Sequence, residues 1–195
     1  MKLWFRLFYT LVVAWFRSRT AALAPAVSYW RVLPTDIDIF GHMNNGRYGM
    51  MMDLARIDYL VRTRFLGTIV RNGWIAPNGC TYVDFRGGLR PFEAYRIETS
   101  VAYWDERWFY FRQDFHREHG NDKPVATGWV KMTFAGRRGR VTPQTVLEAL
   151  GEGGTPRPAL CPQVARAFHL DRPPLPSVTP ARRDAPALAN ALPTV

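Results

Sequence analysis

The run GRYGMMMDLARIDYLVRTRFLG, from Gly46 to Gly67, is the feature that most constrains the fold. Tyr48, Met51, Met52, Ala55, Tyr59 and Leu60 recur at helical spacing within it, so they share one face. Met, Leu, Ala and Arg favour that conformation. The pattern predicts one long helix, with Asn44 or Asn45 capping its start and Gly67 stopping it. Beyond it the period drops to two. CTYVDFRGG, YRIETSVAYWDE, RWFYFRQDFHRE and PVATGWVKMTFAG are four β-rich segments. Turn chemistry separates them at Gly87-Gly88 with Pro91, at Asp105-Glu106, and at Gly120-Asn121-Asp122. The short Asp105-Glu106 turn predicts that its flanking strands pair antiparallel. Asn78-Gly79 marks either a further hairpin or a bend in a longer strand beginning near Trp74. Upstream, VSYWRVL reads as one more strand. The expected class is therefore α+β: a long helix against an antiparallel sheet of about five strands.

The flanks differ from this middle. Residues 1–24 form a hydrophobic and basic segment, with Lys2, Arg6, Arg17 and Arg19 around the uninterrupted run Leu7 to Phe16. That run is about half the ~20 residues needed to cross a bilayer. Arg17 and Arg19 stand where a signal-peptide cleavage region is small and neutral, and Pro25 follows Ala22-Leu23-Ala24. The segment fits an uncleaved interfacial helix or short anchor, with peripheral membrane contact through residues 1–20; the other reading is a helix packed on the domain or in a dimer. The domain itself is placed at residues 25–150, closing on a short helix in TPQTVLEALG with Thr142 as cap and Gly151 at the end. Residues 151–195 hold nine of the fifteen prolines and one aromatic, Phe168, which makes a tail unable to fold alone. Cys80 and Cys161 are far apart and form no paired motif, so a reduced, cytoplasmic compartment is expected, with no metal site. The net charge is +10, but the basic residues are dispersed and no nucleic-acid motif accompanies them, so no nucleic-acid partner is expected.

Between the first strand and the helix lies PTDIDIFGHMNN, Pro34 to Asn45. Asp36 and Asp38 suit Asx-turns, Asn44 and Asn45 suit helix caps, and a lone His42 is often structural. The same residue types also make sites.

The stretch TDIDIFGHMNNGRYGMMMDLAR resembles the acyl-CoA thioesterases of the hotdog fold, in the 4-hydroxybenzoyl-CoA thioesterase-like branch. It carries that family's Asp-rich turn (Asp36, Asp38), then Gly41, His42, Asn44 and Asn45, then Tyr48, then Asp53, Ala55 and Arg56 on the helix. The Arg90-Pro91-Phe92 turn and the Trp104-Asp105…Trp108-Phe109 hairpin are similar to that family's sheet. The hydrophobic N-terminus is similar to the subgroup of thioesterase superfamily member six. The resemblance covers about residues 27–136 and implies an acyl-CoA thioesterase that works as a homodimer or homotetramer, with its sites at the subunit interface. Coenzyme A is then part of the substrate, and no further cofactor is implied.

Hydrolysis of a thioester needs an activated water or a nucleophile, and stabilisation of the oxyanion. A carboxylate on a loop supplies the first, and free N–H groups at a helix start supply the second. By resemblance, Asp38 is general base or nucleophile, and the backbone N–H near Asn45 is the oxyanion donor. His42 orients Asp38 or the leaving thiolate. Gly41 lets the backbone pass close to the thioester, and Tyr48 lines the acyl pocket. Asp36, Asn44 and Asp53 support the loop and helix, with Asp53 pairing with Arg56. Arg86, Arg90 and Arg96 lie near the strand junctions and could meet the phosphates of coenzyme A, or else make a solvated strand edge. The alternative is a non-catalytic acyl-CoA or lipid-binding hotdog protein at a membrane.

Overall fold

The computed structural model describes residues 3–120 and 122–170. Core positions follow the two periods read from the sequence. Helix α2 (Asn45–Arg62) buries Tyr48, Met51, Met52, Ala55 and Tyr59 on one face. Five strands, β1 (Ala26–Arg31), β2 (Asn78–Phe85), β3 (Ala94–Trp104), β4 (Phe109–Arg117) and β5 (Ala126–Met132), form one sheet in the order β1-β3-β4-β5-β2, antiparallel throughout. Alternate residues Tyr95, Ile97, Phe109, Phe111 and Phe115 leave β3 and β4 on the same side and are fully buried in one cluster with the α2 face. Gly128 of β5 faces Met52, so a side chain there would collide with the helix. This sets how closely the helix lies on the sheet.

A polar seam crosses the same interface. Gln113 Nε2 donates to the Met52 carbonyl at 2.9 Å and to Thr99 Oγ1 at 3.2 Å, and Arg56 Nη1 donates to Gln113 Oε1 at 3.3 Å. Buried polar groups need such partners, and these hold the helix in one rotational setting.

The single helix expected to run to Gly67 is broken. It ends at Arg62, and a second helix, α3 (Phe65–Arg71), begins after Arg64, which adopts φ 66°. Gly67 lies inside α3. Packing is the cause: the break swings fully buried Phe65 between Phe109 and Phe134, at ring-centroid distances of 5.8 and 6.4 Å. Asn78-Gly79 is not a hairpin; the register shifts between Asn78 and Cys80, a bulge where Gly79 passes under the Trp108 ring. The β3–β4 turn at Asp105 joins antiparallel strands as expected. A small hairpin, β6 (Phe134–Gly136) with β7 (Gly139–Val141), follows β5. Then comes α4 (Pro143–Leu150), capped by Thr142 and closed by Gly151 at φ 83°.

Two flanking helices dock on this unit. Helix α1 (Leu3–Phe16) lies against α2 through Arg6, Thr10 and Ala14. Helix α5 (Pro162–Phe168) lies on the outer face of the sheet, where Val164 and Phe168 cover Tyr110 and Trp129. The proline-rich tail thus contributes one short packed helix, supported by the sheet rather than by a core of its own. The expected tail beyond residue 170 lies outside the described residues.

Candidate active site

The loop entering α2 is pinned on three sides. Its own ends bridge, Ile37 against Met43, with the Asp38 N–H donating to the His42 carbonyl at 3.0 Å. Met43 N–H donates to the Leu89 carbonyl at 2.8 Å, and Asn44 N–H to the Asp36 carbonyl at 2.8 Å. Gly41 takes φ 78°, a left-handed setting that glycine adopts freely, and closes a turn back to the Asp38 carbonyl at 3.1 Å. The Asn44 side chain then caps α2, accepting from Gly46 N–H at 2.9 Å.

Asp36 sits beneath the loop, 1% exposed. Its Oδ2 accepts from Arg6 Nη2 at 2.6 Å and from Leu33 N–H at 3.0 Å, while Arg47 Nε lies 3.8 Å from Oδ1. These partners anchor the turn beneath the loop. Asp38 is half-buried, and its Oδ1 accepts from Phe40 N–H at 2.9 Å.

Asp38, His42, Asn45 and Tyr48 converge on one open cavity of about 390 Å³, together with Phe40, Phe85 and Gly88. The Asn45 N–H, at the first turn of the helix, has no acceptor among the described residues. Tyr48 is buried; its hydroxyl accepts from Leu89 N–H at 3.3 Å, and its ring meets Phe85 edge-on at 5.1 Å. Burial pushes its phenol above the ordinary value, so it stays neutral and serves as an acceptor and a wall.

Other expected residues lie outside the cavity wall. Arg86 pairs with Asp84 at 2.7 Å, and Arg96 with Asp122 at 3.1 Å. Arg90 is exposed, its backbone N–H bound to Glu93. Asp53 is largely exposed and pairs with Arg56, as its spacing suggests.

Sequence reasoning missed Phe40, Phe85 and, set directly against the loop, Gly88. A Cβ there would stand 2.7 Å from His42 Cδ2, so the imidazole rests against the bare backbone of the β2–β3 connection. The Gly88 carbonyl is held by Arg117 Nη2 at 2.7 Å. The Gly87-Gly88 pair reads as turn chemistry; only its proximity to the loop reveals the second use.

A long capped helix held by a five-stranded antiparallel sheet, with a carboxylate loop at the helix entry, is a hotdog fold. The chain belongs to the thioesterase-like superfamily, whose family profile matches residues 32–182. It is similar to Protein THEM6 of Xenopus laevis, 36% identical over 85 residues, 43% of this chain and 41% of that one. It is similar also to Protein THEM6 of Danio rerio, 29% identical over 145 residues, 73% of this chain and 66% of that one. The matched stretches thus span less than two thirds of either relative. Among solved structures, a 1,4-dihydroxy-2-naphthoyl-CoA thioesterase from Synechocystis shares the fold, with TM-score 0.56 and 13% identity over 68% of this chain and 100% of that one.

Proposed function

We propose that the chain hydrolyses acyl-CoA thioesters to a free acid and coenzyme A, with Asp38 as base or nucleophile. The observation that carries this reading is the convergence of the Asp38 side chain and the first residues of α2 on one cavity. A thioester carbonyl docked there would have a carboxylate on one side. On the other it would have an N–H at the positive end of the helix dipole. As base, Asp38 takes a proton from water as the water oxygen attacks the carbonyl carbon. As nucleophile it forms an anhydride that water then opens. In both routes the C–S bond breaks and the thiolate leaves to be protonated, with His42 at the cavity wall as the nearest imidazole donor on the loop. Family membership and the thioester-hydrolysing neighbour from Synechocystis support this chemistry. Arg86 and Arg90 would receive coenzyme A phosphates at the cavity's outer edge.

The site is shallow in one chain, and its surroundings suit a homodimer or larger homo-oligomer. Ile39 and Phe40 at the loop tip are 93% and 78% exposed, and β2 is an edge strand with most side chains exposed. A second reading, acyl-CoA binding without turnover, draws on the Phe40 N–H that already occupies Asp38 Oδ1, a turn-forming use of the carboxylate.

Thiol release from a panel of acyl-CoA chain lengths tests both readings. An Asp38→Asn variant is expected to lose at least about 100-fold in kcat with binding retained. Unchanged hydrolysis by that variant removes Asp38 from the mechanism. Saturable binding with no turnover by the wild-type chain selects the second reading.

A further inference from the structure

Helix α1 turns most of its apolar residues away from the domain, although Ala14 is buried and Leu7 packs on the core. Its buried stripe is Arg6, Thr10 and Ala14, one turn apart, with Arg6 committed to Asp36. Trp4, Phe8, Trp15 and Phe16 are 78%, 69%, 72% and 84% exposed, and Phe5 and Val12 join them. A helix that simply packs on a core presents the opposite polarity. Its 14 residues reach ~21 Å, short of the ~30 Å of a bilayer core. Among the described residues no helix is long and apolar enough to cross a membrane. Such a face lies in an interface rather than across one.

Two cavities continue this face. A groove of about 540 Å³ opens between α1 and α3, walled by Leu11, Ala14, Trp15, Val61, Leu66 and Val70. Arg19, Arg64 and Arg71 also line it. Val70 and Arg71 also line a neighbouring cavity of about 490 Å³ whose other wall is the β6–β7 hairpin with Arg137, Arg138 and Arg140. All six of these arginines are exposed, and none has a carboxylate in ion-pair range among the described residues. Neither cavity has an acidic residue in its lining.

We infer that the outer face of α1, the groove and the arginine cluster form one docking surface for an anionic phospholipid bilayer. The groove takes an acyl chain, and Arg71 and the β6–β7 hairpin meet lipid phosphates. Charge decides between occupants. A second copy related by a two-fold axis would set this cationic patch near its own image, whereas an anionic bilayer supplies the opposite charge and an apolar interior together. Nucleic acid would leave the aromatic face uncovered. The inference stands independently of thioester hydrolysis.

The test is co-sedimentation of the full-length chain with vesicles of phosphatidylcholine alone and of phosphatidylcholine mixed with phosphatidylglycerol. Binding is expected to favour the mixed vesicles and to weaken with salt. Arg19→Gln, Arg71→Gln and Arg138→Gln should each weaken it by about fivefold. Trp15→Ser should weaken binding to both vesicles. These side chains are exposed, so melting curves matching wild type show that any loss is not misfolding. The inference is overturned by no binding to either vesicle, or by equal binding to both with the arginine variants unchanged. Self-association in solution that needs Trp15, without vesicle binding, gives the face to a second copy and overturns it too.

Discussion

Arg6 of the N-terminal helix donates to the buried Asp36 carboxylate at 2.6 Å, across 30 residues of sequence. Both side chains are nearly excluded from solvent, at 8% and 1%. The pair locks α1 to the turn that leads into the Asp38 loop, so the position of that loop and the docking of the first helix are mechanically linked.

Removing one partner leaves the other charge buried. Arg6→Met is expected to cost about 3–5 kcal/mol of unfolding free energy, and adding Asp36→Asn should return part of it. Denaturant titration of the two variants checks this. An Arg6→Met chain as stable as wild type would show that the pair contributes nothing.

Gly88→Ala places a methyl 2.7 Å from the His42 ring, which must then move. Hydrolysis should fall by about tenfold to a hundredfold while the fold persists, because small displacements of site groups are costly in rate. Thiol release and thermal melting are read together. Full activity in a folded Gly88→Ala chain would separate His42 placement from catalysis.

Arg64 holds φ 66° at the break between α2 and α3. Glycine accepts that backbone with less strain, so Arg64→Gly should raise stability by about 1 kcal/mol. The same change removes a cation that lines the groove and should weaken vesicle binding. A lower melting temperature would mean that Arg64 makes stabilising contacts outweighing the backbone strain.

Burial raises the Asp58 carboxyl above its ordinary value of 3.8, against the pull of Arg17 and Arg62. A raised folded value means that the native state binds the proton more tightly than the unfolded chain. Its contribution is therefore complete below the unfolded value and is lost as pH rises through the folded one. The melting-temperature gap between wild type and Asp58→Asn should shrink in favour of the variant as pH rises from acid toward neutrality. A gap that does not vary with pH contradicts this.

Much of the site was legible because it is local. Pro34 to Asn45 is one continuous stretch, and turn and cap preferences act over a few residues, so the Gly41 turn and the Asn44 cap follow from residue type. The strand periods were legible for the same reason, since alternation needs only neighbours. Gly88 was not, because its use depends on a His42 ring delivered from a different segment. Nor was the break at Arg64: Thr63 and Arg64 carry no breaker signal, and the bend follows from where Phe109 and Phe134 await Phe65.

The sequence by itself determined the α+β class, the face of α2 that enters the core, and the loop where a carboxylate meets a helix start. Tertiary structure alone decided which way α1 faces. Its apolar residues outnumber its polar ones, yet Arg6 turns inward because Asp36, buried by the packing of the loop, needs a cation, and a desolvated charge outweighs the exposure of several aromatic rings.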